Sequence, residues 1–315
     1  MSAAKMSVVV VTDHYRTIRR VLAGLRDPAE REQLEIVIVA PEGQDLELDE
    51  TALHGFADLR VVRLGSIRPM SAARAAGVRA ASAPIIYIGE THSFPRPGLA
   101  TALIAAHAQP WDVVIPGLAN ANPQSALSWA SFLMDYGQWF DELPAGEIGG
   151  GPTWNAAYKA PVLRDLGDAL DDALSHGDAL SVALHAQGRR FYFEPTAKTD
   201  HANVSQFVWW VEQRYLAGLL VASSRAARWS LPKRLLYIFG SPLIPAKVLS
   251  RIGAPVKLLR RDRRWPTGTL AALVFGAVVR TAGEVVGFVR GAGPGAQPRM
   301  DEYELHKLDF TSLSY

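Results

Sequence analysis

Between Tyr87 and Gly98 the chain reads YIGETHSFPRPG, an apolar run ending in Glu90, Thr91 and His92 ahead of two prolines. A carboxylate and an imidazole two residues apart can ligate a divalent cation. Mg²⁺ and Mn²⁺ take carboxylate oxygens readily, and Mn²⁺ also accepts imidazole. An isolated Glu-x-His is more often an ordinary polar loop, so the surrounding elements have to decide.

Those elements alternate. SVVVV (Ser7 to Val11), LEIVIVA (Leu34 to Ala40), LRVVRLG (Leu59 to Gly65), APIIYIG (Ala83 to Gly89) and WDVVIPG (Trp111 to Gly117) have the β-branched, apolar character of buried strands. YRTIRRVLAGL, SAARAAGVRAA (Ser71 to Ala81) and GLATALIAAHA carry helical spacing between them. This rhythm predicts a βαβ succession and a parallel sheet covered on both faces. Ligands of such sheets bind at the carboxyl ends of the strands, which is where Glu90 and His92 fall. Further on, ALSWASFLMDYGQWFDEL reads as helix, and GEIGGGPTWNAAYKAPVLRDLG as a glycine loop turning helical near Asn155. DALSVALHAQG (Asp178 to Gly188) reads as a helix stopped by glycine, and RRFYFEP as a strand. From Val204 the chain is helical, aromatic and basic.

A length of 315 residues with 49% apolar and 20% charged residues supports a large core in one or two domains. The absence of cysteine excludes disulfides and thiolate metal sites and fits a reducing cytoplasm. The opening MSAAKMSVVVVTDHY does not read as a signal peptide, because an Asp and a His follow its short apolar run. Charge is uneven. Residues 1–224 hold 18 Lys/Arg against 25 Asp/Glu, whereas residues 225–264 hold 11 Lys/Arg against Asp262 alone. The basic block is interleaved with LLYIFGSPLIPAKVL and VKLL, a mixture that points to an anionic membrane surface. A solvated basic face or a nucleic-acid patch is the competing reading. Next comes WPTGTLAALVFGAVVRTAGEVVGFVRG, whose charge-free core from Pro266 to Val279 has 14 residues. That is short of the roughly 20 needed to span a bilayer, so an interfacial or re-entrant helix is expected, with a buried helical hairpin as competitor. GAGPGAQP (Gly291 to Pro298) reads as a linker, and the polar tail after it as poorly ordered.

Taken together, residues 7–220 resemble the inverting glycosyltransferases of family 2, which bind nucleotide sugars on a GT-A fold. In SVVVVTDHYRTIRRVLAGL, the resemblance puts Thr12 and Asp13 beside the nucleoside. LEIVIVAPEG matches the second strand, but Ala40 and Pro41 replace the usual acidic pair, with Glu42 nearby. SAARAAGVRAASAPIIYIGETHSFPRPGLATAL matches the helix carrying an arginine, here Arg74, and the strand with its acidic metal motif. Glu90, Thr91 and His92 stand in place of that Asp-x-Asp triplet. Glu90 is then implied in holding the ribose or the metal, and His92 in ligating the metal or pairing with the diphosphate.

GGGPTWNAAYKAPVLRDLG is similar to the glycine-rich acceptor-side loop, with Asn155 and Lys159 at the matching positions. LSHGDALSVALHAQGRRFYFEP is similar to the catalytic segment, in which an acidic pair precedes a leucine-rich helix. Counting back from Leu180 places His176 and Gly177 on that pair, and Asp178 follows one residue on. Inverting transfer needs one general base to take the acceptor hydroxyl's proton. Asp178, with His176 beside it, is the expected base, although an Asp there also suits a helix N-cap. Asp200 and His201 follow the next strand, and His201 is a further metal candidate. Arg214 and Tyr215 resemble the pair on the helix closing the acceptor site.

The expected architecture is α/β. A GT-A, Rossmann-like, mostly parallel sheet covers residues 1–222, basic and apolar membrane-associating helices cover 223–292, and a tail covers 293–315. The resemblance implies transfer of a sugar from a UDP- or GDP-sugar, with inversion, to a lipid-linked or glycan acceptor. It also implies Mn²⁺ or Mg²⁺, no nucleic-acid partner, and a peripheral or monotopic place at the cytoplasmic face of the membrane; a homo-oligomer is left open. The replaced acidic pairs favour the alternative of a non-catalytic nucleotide-binding or scaffold protein on the same fold. A different nucleotide-using transferase is a third reading.

Overall fold

The computed structural model describes residues 3–175, 179–261 and 265–315. The strands are β1 (Met6–Val11), β2 (Leu34–Pro41), β3 (Asp58–Leu64), β4 (Ile85–Ile88), β5 (Ser93–Pro95), β6 (Val113–Asn120), β7 (Gly146–Ile148), β8 (Ala156–Lys159) and β9 (Phe191–His201), of which β5, β7 and β8 are not predicted by the sequence pattern. They make one sheet in the order β3-β2-β1-β4-β8-β6-β9-β5, with β7 paired to β9. The first four strands are parallel, in register Val8↔Ile36, Val8↔Tyr87 and Val37↔Arg60. Beyond β4 the sheet is mixed, because β8 runs antiparallel to both β4 and β6.

The chain divides into two compact units: Met1–Ala119, Asp141–Asp200 and Tyr315, and Asn120–Phe140 with His201–Ser314. In the first, β1 is fully buried and β2 is buried through Ala40, as their valine and isoleucine content requires. The helix Met70–Ala80 lies close on them through Gly77, where a Cβ would come within 2.4 Å of Val9 and 2.8 Å of Val39. One charge is buried among these strands. Glu35 accepts from the Ser7 hydroxyl, from Ser82 N at 2.7 Å and Ser82 Oγ at 3.0 Å, and pairs with Arg60 at 3.4 Å. With both carboxylate oxygens bonded, the cost of burial is offset.

The pattern predicts helix after Asn155, and the structure has β8 there instead. Ala156, Ala157 and Tyr158 are buried between β4 and β6, so sheet pairing overrides the helix preference of alanine. The tail also differs from its reading. Ala296–Leu305 is a helix with Met300, Tyr303 and Leu305 buried, and Glu212 ties it to the helix Phe207–Arg228. Arg299 Nε donates to Glu212 at 2.9 Å and the Tyr303 hydroxyl at 2.7 Å.

In this second unit, Phe207–Arg228 packs on the 22-residue helix Thr269–Arg290. Glycines set the spacing. A Cβ on Gly218 would stand 2.0 Å from the Arg280 carbonyl oxygen, and one on Gly283 2.1 Å from that of Tyr215. Thr269–Arg290 is long and apolar enough to cross a membrane by length and composition, with mean hydropathy 1.7, yet 44% of its most apolar window is buried in the protein. Of the two readings offered for this segment, the buried face belongs to a packed helix pair.

Gly→Ala inside a helix normally gains up to about 1 kcal/mol. At Gly283 the clash reverses that sign, and overpacking of this kind costs about 1–3 kcal/mol. Thermal melting of Gly283→Ala should show a lower Tm, while Gly65→Ala, whose Cβ would meet nothing within 4 Å, should not. Separately, burial pushes the His107 imidazole down to about 4, with Lys159 adding to the effect. The folded chain then refuses a proton that the unfolded chain takes up below about pH 6.5. Stability is full above that pH and falls toward pH 4, by up to about 3 kcal/mol. Urea midpoints measured across this window should slope in wild type and flatten in His107→Gln.

Candidate functional site

Because β1, β2 and β4 are parallel and adjacent, Thr12–Asp13, Pro41–Glu42 and Gly89–Glu90 leave the sheet on one edge. Backbone bonds extend the ladder there, from Thr12 N to Val39 O at 2.9 Å and from Gly89 N to Val9 O at 2.9 Å. Thr12 is buried, and its hydroxyl donates to His14 O at 2.8 Å and meets Thr17. It therefore shapes the turn into the helix Tyr15–Gly24. Asp13 is half-buried and Glu42 exposed. Glu42 N donates to Leu64 O at 2.7 Å. Arg74 is buried on the helix Met70–Ala80, its guanidinium 4.0 Å from the centre of the Trp154 ring.

Glu90, Thr91 and His92 are all buried, the imidazole completely. His92 Nε2 lies 3.5 Å from Glu90 Oε2, and Thr91 Oγ1 lies 3.4 Å from His92 Nδ1. Asn155 Nδ2 donates to the same Glu90 oxygen. Asn155 Oδ1 in turn accepts from the Tyr87 hydroxyl at 3.3 Å, and Asn155 N donates to Ile88 O at 2.8 Å. Asn155 has φ 54°, a left-handed conformation that asparagine tolerates better than most side chains. This backbone turn starts β8 and aims the amide at Glu90. Burial pushes the Tyr87 phenol up, and the Glu90 charge adds to the shift, so Tyr87 stays a neutral donor. The result is a chain of four polar side chains, His92–Glu90–Asn155–Tyr87, at the carboxyl end of β4.

Other expected residues fall elsewhere. Lys159 closes β8 opposite Ile85, at the far end of β4 from Glu90, where its Nζ donates to Gln109 O at 3.2 Å. The glycine loop before Asn155 packs on the protein itself, since a Cβ on Gly151 would meet Ile115 at 2.3 Å. His176 and Asp178 lie outside the described residues. In the second unit, His201 is buried, its ring centred 4.3 Å from that of Tyr136 and its Nδ1 3.0 Å from Asn203 Oδ1. Arg214 is buried and bonds Asp135 at 2.6 Å and Gln213 at 3.0 Å. Arg280 reaches the same Asp135 at 3.2 Å. Burial alone would raise the Asp135 carboxyl, but Arg214, Arg280 and Lys307 together hold it below its usual range. Tyr215 is half-buried.

Sequence reasoning missed Tyr87, Trp154 and Asp135. Trp154 adjoins Asn155, and Tyr87 precedes Glu90 by three residues on a strand. Nothing local marks Asp135, whose partners are 79 and more residues away.

No protein-family model matches the sequence, and no curated protein sequence matches it. Solved structures do. The mannosyltransferase PcManGT from Pyrobaculum calidifontis, in complex with GDP-Man and Mn²⁺, superposes with a TM-score of 0.50 at 14% identity, covering 98% of this chain and 88% of that one. S. aureus TarS 1-349 with UDP-GlcNAc aligns at 13% identity over 95% of this chain and 91% of that one, with a TM-score of 0.45. At such identity the likeness to the mannosyltransferase is one of fold, and the chain has the GT-A architecture expected of it.

The Asn155 bond yields a test. Asn155→Ala removes the donor from a buried carboxylate, a loss of about 1–3 kcal/mol, and strains the left-handed backbone by about 1 kcal/mol more. Asn155→Gly restores the backbone alone. Urea denaturation should rank the three as wild type, then Asn155→Gly, then Asn155→Ala.

Proposed function

We propose that this protein is a glycosyltransferase that moves a sugar from a UDP- or GDP-sugar to a lipid-linked or glycan acceptor, with inversion. The observation that carries the reading is the Glu90–His92 pair, buried and held by Asn155, at the carboxyl end of β4. Ligands of parallel sheets bind at such ends, and the neighbour with GDP-Man and Mn²⁺ has the same fold. Fold alone does not set function, so the weight rests on the chemistry of the residues present.

One carboxylate and one imidazole, from Glu90 and His92, make a donor pair suited to Mn²⁺ and, through Glu90, acceptable to Mg²⁺, and His201 is kept as a proposed further ligand. A cation there would neutralise the diphosphate of the donor. Thr12, Asp13 and Glu42 border the nucleoside in this reading, and Arg74 the diphosphate. Asn155 serves by orienting Glu90 rather than by touching the acceptor. Lys159, at the opposite end of β8, is left out of the site. Arg214 and Tyr215 are kept as acceptor-side residues. Asp178, or His176, is the proposed base that removes the acceptor proton as the hydroxyl attacks the anomeric carbon.

The alternative is a non-catalytic protein that retains the fold, favoured by Ala40 and Pro41 in place of an acidic pair. Calorimetry with UDP and GDP in Mn²⁺, Mg²⁺ or EDTA tests the donor site, and nucleotide binding without sugar transfer would favour the alternative. The transferase reading expects metal-dependent binding that His92→Ala weakens about tenfold or more. Absence of binding by either nucleotide, or binding indifferent to EDTA and to His92→Ala, would sink it.

A further inference from the structure

The second unit carries a surface that the described residues leave uncovered. Leu231–Phe239, Ser241–Leu243 and Ile244–Arg251 are successive helical segments, and no residue from Leu231 to Arg251 is buried. The composition makes that costly. Leu231, Leu236, Phe239 and Leu243 are 65%, 68%, 79% and 72% exposed.

The arrangement is amphipathic in a definite sense. Leu231, Leu235 and Phe239 are spaced four apart and all exposed, so they form one stripe along their helix. The flank beside that stripe is the one that holds the helix to the unit. There Tyr237 and Ile238 pack against Ala222, Ala226 and Phe288. Arg234 Nε donates to Trp229 O at 3.0 Å, and Trp229 stacks on Phe288 at 5.5 Å. The leucine stripe is therefore not an unpacked core face. The helix is anchored along that flank and turns the stripe outward.

Charge identifies what it meets. Residues 231–261 carry Lys233, Arg234, Lys247, Arg251, Lys257, Arg260 and Arg261 and no acidic residue. An apolar stripe within a wholly cationic segment complements an anionic lipid leaflet. Apolar side chains enter the boundary between headgroups and acyl chains while Lys and Arg remain among the phosphates. A second copy of this chain would bring the same seven cations against themselves.

We propose that the helices from Leu231 to Arg251 lie in the plane of an anionic membrane surface and hold the protein there as a monotopic binder. Thr269–Arg290 does not supply a span in this arrangement. Its Gly276, Gly283 and Gly287 face are committed to protein neighbours, and Arg280 and Glu284 sit within its second half. The proposal does not depend on sugar transfer.

Flotation of the full chain with vesicles tests it. Phosphatidylcholine vesicles containing phosphatidylglycerol should carry the protein upward, and phosphatidylcholine alone should carry far less. Leu236→Ser with Phe239→Ser should weaken binding about tenfold or more by removing inserted side chains. Lys247→Gln with Arg251→Gln should weaken it and reduce its sensitivity to salt. All four positions are exposed or surface-lying, so unchanged melting curves and unchanged nucleotide titrations should accompany these losses. Failure of wild type to float with either vesicle overturns the proposal, as does flotation undiminished by Leu236→Ser with Phe239→Ser. A dimer that this double variant dissociates, without vesicle binding, would assign the face to a second copy and overturn it too.

Discussion

A carboxylate buried at the end of a parallel strand is the constraint around which the first unit is arranged. Glu90 can be kept there only if partners replace the water it has lost. Asn155 and His92 do so at one of its oxygens, and each imposes a condition on the chain. Asn155 reaches Glu90 only from a left-handed backbone that also starts β8 against β4. The insertion of β8 is what turns a parallel sheet into a mixed one. A local requirement for a hydrogen-bond donor is thus tied to the topology of the sheet.

The same link explains which parts of the fold are legible in sequence. β1, β2 and β4 show themselves through β-branched runs, because strands buried on both faces must be apolar throughout. Their carboxyl ends, and so Thr12, Asp13, Glu42 and Glu90, follow directly. β8 is not legible. Ala156, Ala157 and Lys159 favour helix locally, and the pairing that makes them a strand comes from residues some 40 to 75 positions away. Lys159 lies away from its expected place for the same reason. A helix starting at Asn155 would keep it near the glycine loop, whereas a strand carries it to the opposite end of β4. The tail is illegible in another way. Its polar residues look solvated until Glu212 is known to receive Arg299 and Tyr303.

Glycine shows how one residue type carries two meanings. In Thr269–Arg290, glycines and apolar side chains satisfy the composition of a membrane span, and small residues also let two helix backbones come together in lipid. Here Gly283 and Gly287 meet the Tyr215 and Leu219 carbonyl oxygens of a neighbouring helix in the same unit. Hydropathy summed along a helix cannot separate these cases, since it does not record which face is already occupied. The segment from Leu231 to Arg251 is less hydrophobic on average but more exposed, and exposure is what a lipid surface acts on.

Charge at the Glu90–His92 pair gives the last step. An Asp-x-Asp pair holds two negative charges, and Glu-x-His holds one while the imidazole is neutral. In the proposed site a divalent ion would keep more of its positive charge for the diphosphate, which favours departure of the nucleotide. In that proposal the imidazole would also narrow the choice of ion, since Mg²⁺ prefers oxygen and water whereas Mn²⁺ accepts nitrogen. Having one carboxylate in place of two would therefore not by itself abolish the proposed cation site; it would shift the site toward a softer metal and a more strongly neutralised leaving group. The exchange has a structural requirement of its own. A buried imidazole beside a buried carboxylate needs its ring fixed, and Thr91 and Glu90 supply that from positions adjacent in the same loop.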